Sequence, residues 1–307
     1  LKLLLSKPRG FCAGVERAID TVKKALQLFG PPIYVRHQIV HNKHVVKDLE
    51  ERGAIFVEDL SLVPEGSRLI YSAHGVAPSV REQAKKRGLI EIDATCGLVT
   101  KVHSAVKRYA SRGYQIILIG HKNHVETVGT AGEAPEVTHI VESVEDVRAL
   151  VFAPEEKLFY TTQTTLSLDD VSLICEALLD RFPLIETLPS SSICYATTNR
   201  QMALREITDI AQLVLVVGDP TSSNSNRLRE VAALRGVTSY LINDEHEIDP
   251  RWLIGVQVIG LTAGASTPED IVQNCIERLR TLGVSEVEDV VFVEEDVVFQ
   301  LPKLVVS

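Results

Sequence analysis

The feature that most constrains this chain is a repeated switch of hydrophobic period. Short β-branched and aliphatic runs alternate from end to end with longer stretches whose apolar residues recur every three or four positions. Parallel strands need long crossovers, and helices are the usual ones, so this alternation predicts a parallel α/β architecture. Leu3–Leu5, Ile33–Val35, Ala54–Val57, Leu69–Tyr71, Ile116–Ile119, Leu158–Tyr160, Leu213–Val217 and Val256–Leu261 read as strands. Val15–Leu28 reads as a helix stopped by Gly30-Pro31, and Val102, Val106 and Tyr109 form an apolar stripe stopped by Gly113. Alternation around Val291–Leu301 predicts one last strand in the acidic tail. No low-complexity segment or long flexible linker interrupts the pattern.

With 307 residues, 45% hydrophobic and 24% charged, the chain can bury a sizeable core. Its net charge of −9 argues against a general nucleic-acid binder, since phosphate neutralisation needs clustered Lys and Arg, but leaves room for a local basic pocket. No apolar run approaches the roughly 18 residues of a membrane helix. Leu1–Ser6 runs straight into Lys7-Pro8-Arg9-Gly10 without the features of a secretory signal, so a cytoplasmic location without membrane partners is expected. Five widely spaced cysteines, an odd number, do not suggest a disulfide framework.

The cysteines divide into two kinds. Cys175 shares a helical face with Val171, Ile174 and Leu178, and Cys275 shares one with Ile271, Val272 and Leu279, so both are expected in the core. Cys12, Cys96 and Cys194 instead each lie between a strand-like or turn segment and a helix. Cys12 to Cys96 is 84 residues and Cys96 to Cys194 is 98, which suggests three α/β units each delivering one thiolate to a shared centre. A helix N-terminus stabilises a thiolate or an anionic cluster. Three converging thiolates suit zinc or an iron–sulfur cluster. Structural zinc sites usually show close cysteine pairs, which are missing here, whereas widely spaced single cysteines fit a cluster. Three cysteines on a four-iron cluster would leave one iron open to act as a Lewis acid. Three unrelated buried thiols remain the third possibility.

Histidines and small polar residues recur just after the strands, where ligands bind in open α/β sheets. Val40-His41-Asn42, Ser72-Ala73-His74-Gly75, Gly120-His121-Lys122-Asn123-His124-Val125-Glu126 and Thr161–Ser167 are four such loops. Gly218–Asn226 and Thr262–Ser266 are two more. Their imidazoles, hydroxyls and amides could bind a polyanion, although the P-loop lysine pattern is absent. Glu126, two residues after His124, is the best placed carboxylate for proton delivery. His37, His44, His103, His139 and His246 are expected to be surface or structural.

On these motifs the sequence resembles the 4-hydroxy-3-methylbut-2-enyl diphosphate reductase (LytB/IspH) family, the terminal enzymes of the methylerythritol phosphate route to isoprenoids. The resemblance spans nearly the whole chain, from Pro8-Arg9-Gly10-Phe11-Cys12-Ala13-Gly14-Val15 and Asp93-Ala94-Thr95-Cys96 through Ile193-Cys194-Tyr195-Ala196-Thr197 to Ser222-Ser223-Asn224-Ser225-Asn226 and Thr262–Ser266. It implies three pseudo-symmetric α/β lobes with mainly parallel sheets around a central cluster. The corresponding boundaries are 14–95, 96–193 and 194–281 (with 1–13), and a tail, 282–307, that packs back on the body. It implies one 4Fe–4S cluster held by Cys12, Cys96 and Cys194, which would become 3Fe–4S if oxidation released the open iron. It implies that His41, His74, His124, Ser222, Ser223, Asn224 and Ser266 bind the substrate diphosphate and that Thr164 also contacts the substrate. Glu126 and Thr164, beside His124, fall on the family's proton relay. The implied reaction is a two-electron reductive dehydroxylation giving isopentenyl and dimethylallyl diphosphate. No dinucleotide fingerprint follows the first strand, so no nucleotide cofactor is expected and electrons should come from a ferredoxin- or flavodoxin-type donor.

Three departures accompany the resemblance. Gly97 and Val125 stand where family members commonly have proline, and Asp219-Pro220-Thr221 stands where Ser–Lys–Asn is common. Two rival functions are a zinc-dependent hydrolase using the same thiolates and a non-enzymatic iron–sulfur sensor or isoprenoid-diphosphate binding protein.

Overall fold

A computed structural model describes residues 1–304 and contains three sheets whose paired strands all run parallel. The chain divides into two compact units. One comprises Leu1–Glu16, His41–Lys47 and Tyr195–Val298; the other comprises Arg17–Val40, Asp48–Cys194 and the described residues from Phe299 onward.

The first unit holds a five-stranded sheet in the order Thr238–Ile242, Leu213–Val217, Val258–Ala263, Lys2–Lys7, Glu286–Val291. Successive side chains on a strand point to opposite faces, and here both faces are covered. Leu3, Leu5, Leu213, Leu215 and Val217 pack with Val272, Cys275 and Leu279 on one side. Leu4, Val214 and Val216 pack with Leu204, Ile207 and Leu228 on the other. The near-continuous apolar runs of these strands follow from that double burial. Gly260 lets the helix Tyr195–Thr208 approach closely, since a Cβ there would lie 2.9 Å from Ile207 Cδ1.

The second unit holds two four-stranded sheets. Their orders are Ala54–Val57, Ile33–Arg36, Arg68–Tyr71, Ile90–Asp93 and Thr138–Val141, Tyr114–Ile119, Lys157–Thr162, Glu186–Thr187. Leu69, Tyr71 and Tyr34 anchor one core; Ile117, Ile119, Ile174 and Leu178 anchor another. Phe159, stacked on Tyr109 at a centroid distance of 3.8 Å, joins Ala105 and Val106 in a third. The stripe through Val102, Val106 and Tyr109 thus lies on the helix Gly97–Ala110, and Gly113 follows with φ +82°.

Seven of the eight anticipated strand segments lie within strands, and the eighth, Val256–Leu261, overlaps a strand that runs Val258–Ala263. The helix expected at Val15–Leu28 runs Ala13–Phe29 and ends at Gly30, whose φ is +73°. The last strand, however, is Glu286–Val291, not Val291–Leu301. Its partner decides its position: Glu286, Glu288 and Asp289 meet Lys2 and Lys7 where the strand Glu286–Val291 joins the edge of the sheet beside Lys2–Lys7. The apolar alternation after Val291 has no strand to pair with, and residues 293–300 are irregular. Ile90–Asp93, Thr138–Val141, Glu186–Thr187 and Thr238–Ile242 were not anticipated; charged and polar residues interrupt their short apolar patterns.

Candidate active site

In the second unit, several candidate site residues lie just beyond the carboxyl ends of the strands. The strand Tyr114–Ile119 leads to His124, which caps the helix Val125–Ala131 by accepting the Glu126 backbone N–H on Nδ1 at 3.2 Å. That capping bond fixes the ring, and a neutral His124 therefore carries its proton on Nε2. Glu126, 3% exposed, is turned toward the end of the neighbouring strand Lys157–Thr162. Thr164 donates its backbone N–H to Glu126 Oε1 at 2.6 Å and its hydroxyl to Oε2 at 2.9 Å. Burial raises the Glu126 carboxyl pKa, outweighing these two bonds and the lowering influence of His103.

Thr164 has a second role: its carbonyl accepts the backbone N–H of Cys194 at 3.0 Å. One residue therefore joins a buried carboxyl to a candidate metal ligand. Cys96, at the N-cap of Gly97–Ala110, is held through its N–H to the Ala73 carbonyl at 3.0 Å, one residue before His74. The His74 ring lies 6.0 Å from that of His124, edge to face, and its Nδ1 is 3.2 Å from Ser72 Oγ. Gln163, outside the candidate set, ties this loop cluster together. Its Oε1 accepts from the His121 N–H and the Thr127 hydroxyl, and its Nε2 donates to Thr165.

The first unit assembles the remaining candidates in the same manner. Lys2–Lys7 leads to the loop bearing Cys12, Leu213–Val217 to Ser222 and the helix start at Ser223 and Asn224, and Val258–Ala263 to the loop bearing Ser266. Cys12 N–H donates to the Ala265 carbonyl at 3.2 Å, and Ala265 N–H donates to Asn224 Oδ1 at 2.8 Å. Ser266 Oγ donates to the His41 carbonyl at 2.8 Å. Ser222 caps the helix Ser223–Leu234 by accepting from the Ser225 N–H. Gly218 and Gly264 press against Ser225 from two loops; a Cβ on either would overlap its hydroxyl. Asp219 accepts from Lys43 N–H and from Thr221 N–H and Oγ–H. Burial pushes its carboxyl pKa up, but the Thr221 and Lys43 bonds prevail and hold it below the usual range.

Each of Cys12, Cys96 and Cys194 directly precedes a helix and is partly exposed, and no cysteine among the described residues is disulfide-bonded. Cys275 is wholly buried, its thiol pushed up to about 12 by burial and by Glu245, Asp244 and Glu247. Cys175 is half-buried in the core, with its thiol pKa also raised by burial.

Residues 3–280 match the family model described as LytB protein. The chain belongs to the LytB family. The LytB relatives include the 4-hydroxy-3-methylbut-2-enyl diphosphate reductase of Protochlamydia amoebophila, 75% identical over 307 residues, which is all of this chain and 98% of that protein. The enzyme of the same name from Chlamydia pneumoniae is 63% identical over 304 residues, 98% of each chain. The solved structure of E-1-hydroxy-2-methyl-but-2-enyl-4-diphosphate reductase from Plasmodium falciparum superposes with a TM-score of 0.96 at 52% identity, covering 98% of this chain and 95% of that one.

Two of the departures from the LytB pattern occupy first helical positions. Gly97 opens Gly97–Ala110, where a Cβ would meet only Phe299 at 3.9 Å, and Val125 opens Val125–Ala131. Proline suits a first helical position, so either residue type fits there. Asp219, in the third departure, accepts hydrogen bonds from Thr221 in its own loop and from the Lys43 N–H. Of the histidines set aside as surface or structural, His103 is buried against Glu133 at 2.8 Å and His44 faces Asp244 at 3.3 Å. His37 pairs with Glu58 at 2.6 Å, yet its ring is also 6.0 Å from that of His74. That neighbour relation had no counterpart in linear spacing. Among the described residues, no helix is long and apolar enough to cross a membrane.

Proposed function

We propose that this LytB-family chain carries out the reaction for which its relatives are named, the reduction of 4-hydroxy-3-methylbut-2-enyl diphosphate. The chain is an oxidoreductase of isoprenoid biosynthesis: the allylic carbon–oxygen bond breaks, two electrons and two protons enter, and water leaves. The products are isopentenyl and dimethylallyl diphosphate. A hydrolase or a sensor accounts less well for full-length similarity to named reductases. The observation that carries the reading is Thr164, which donates two hydrogen bonds to the buried Glu126 carboxylate and accepts the Cys194 N–H on its carbonyl.

Cys12, Cys96 and Cys194 would hold a 4Fe–4S cluster. Their chemistry fits it: they are three thiols outside disulfides, partly exposed, each beside a helix N-terminus that favours a thiolate. When bound, the cluster supplies electrons and a Lewis-acidic iron site. The protein's own groups do the rest. His41, His74, His124, Ser222, Ser223, Asn224 and Ser266 bind the diphosphate and so orient the carbon skeleton. Glu126, kept protonated more readily by its burial, hands a proton to the departing hydroxyl, with Thr164 aligning the carboxyl. Electrons come from a ferredoxin- or flavodoxin-type protein in the cytoplasm. The three sheets correspond in this reading to lobes 14–95, 96–193 and 194–281 (with 1–13), and the tail, 282–307, adds the strand Glu286–Val291 to the last of them.

The test is anaerobic purification with iron, sulfide and zinc analysis, followed by assay with substrate, dithionite and a mediator dye. A brown protein that yields both products supports the reading. A faithfully reconstituted chain without iron, or an iron–sulfur protein that binds the diphosphate without reducing it, overturns it.

A further inference from the structure

Arg200 lies in the middle of the helix Tyr195–Thr208, where a long cation would ordinarily reach solvent, yet it is 1% exposed. Its guanidinium is spent on the loop that carries Cys12. Nε and Nη2 both donate to the Gly10 carbonyl, at 3.1 and 2.8 Å, and Nη2 also donates to the Phe11 carbonyl at 3.2 Å. Nη1 donates to the Ala196 carbonyl at 3.1 Å and meets both carboxylate oxygens of Glu295 at 3.1 and 3.3 Å. Asn199 donates to the same Glu295 at 3.0 Å. From the opposite polarity, Gly10 N–H and Cys12 N–H donate to the Ala263 and Ala265 carbonyls at 3.2 Å each. The two residues before Cys12 therefore have their carbonyls held by Arg200, and the amides on either side of Phe11 are held by the strand Val258–Ala263 and the loop after it. Gly10, at φ +67°, makes the turn that presents its carbonyl to the guanidinium.

We propose that Arg200, charge-balanced by Glu295, is a positioning residue that fixes the Cys12 loop for cluster binding. The irregular tail bearing Glu295 thereby becomes part of the cluster's support. A buried guanidinium without its carboxylate would be costly, and a lysine cannot reproduce the fork that reaches two carbonyls and a carboxylate at once. The inference rests on Cys12 being a cluster ligand, as proposed above.

The experiment compares wild type with Arg200→Gln, Arg200→Lys and Glu295→Gln. In the apo-chain, alkylation of each cysteine by iodoacetamide is timed by peptide mass spectrometry. In the reconstituted chain, iron release to a chelator is timed. Loss of one charge-assisted hydrogen bond corresponds to roughly a tenfold change. Arg200→Gln should therefore speed Cys12 alkylation and iron release by about tenfold, while Cys96 and Cys194 alkylate within about twofold of wild type. Arg200→Lys should restore part of the loss. If Arg200→Gln does not fold, Glu295→Gln decides, because it leaves the bonds to the carbonyls in place and should give a smaller rise at Cys12 alone. Equal acceleration at all three cysteines, or none at Cys12, refutes the clamp. A wild-type chain that takes up no iron refutes the cluster reading instead; iron release unchanged in the variants of a chain that does take it up refutes only this inference.

Discussion

Replacing Glu126 with glutamine separates chemistry from architecture at the centre of the candidate site. The side chains are nearly the same shape, and both contacts to Thr164 survive. The amide oxygen can still accept the Thr164 N–H, and the amide nitrogen can donate to the Thr164 hydroxyl in place of the reverse bond at 2.9 Å. Stability at pH 5 should therefore change by less than about 1 kcal/mol. What disappears is the proton, and a positioned general acid is worth about 10²–10⁴ in rate, so turnover should fall by that factor with cluster content unchanged. The pH dependence gives a second reading. Because burial raises the Glu126 pKa above its ordinary 4.5, the folded chain holds this proton more tightly than the unfolded one. Wild type therefore loses stability here as pH climbs from 4.5 toward the raised value, and each tenfold difference in proton affinity is worth about 1.4 kcal/mol. Glu126→Gln lacks that loss, so its melting temperature relative to wild type should rise between pH 5 and pH 8. The assays are anaerobic turnover with a reduced mediator dye, iron content and thermal melts at the two pH values. Turnover within about threefold of wild type at equal iron content would refute the proton role.

Serine substitution at Cys12, Cys96 or Cys194 should each abolish stable iron incorporation, whereas Cys175→Ser should leave it intact; iron and sulfide per chain are the measurement. Gly264→Ala should destabilise by about 1–3 kcal/mol, because its methyl would overlap the Ser225 hydroxyl. Adding Ser225→Ala should recover part of that loss in denaturant titrations, since the next nearest atom, Ser225 Cβ, is 3.2 Å away. Asp219→Asn should cost stability at neutral pH. The Asp219 carboxyl is held below its ordinary 3.8, so its contribution is fully present above that value and lost as pH falls through the lower folded-state one. Melts of wild type and variant should accordingly converge in acid.

What the sequence could show depended on whether a residue's partner lies nearby in chemistry or only in space. Leu213–Val217 and Ile116–Ile119 announce themselves because strands covered on both faces must be apolar throughout. Ile90–Asp93 and Thr138–Val141 do not, since each lies at the end of its sheet and mixes charged or polar residues into a four-residue run. The tail shows the same limit in reverse: Val291, Val293, Val297, Phe299 and Leu301 share one alternating register, but ladder pairing goes to Glu286–Val291, where Lys2 and Lys7 meet the acidic side chains.

The same distinction runs through the candidate site. Glu126 could be singled out from its loop, and Thr164 through the family pattern, but their hydrogen bonds span 38 residues of sequence. Arg200 is the harder case. A cation in mid-helix reads as a solvated surface residue, and nothing in its neighbourhood marks it as the group that closes a turn 190 residues away. Its burial makes sense only once the carbonyls of Gly10 and Phe11 and the carboxylate of Glu295 are brought around it, since a guanidinium excluded from water must find acceptors for its donors. Ligands are therefore legible from residue type and motif, while the groups that hold those ligands still are chosen by geometry. Glu295→Gln is the cleanest probe of that difference, because it changes neither a candidate ligand nor any strand, and loosening confined to Cys12 would mean that Glu295 supports the site through the helix bearing Asn199 and Arg200.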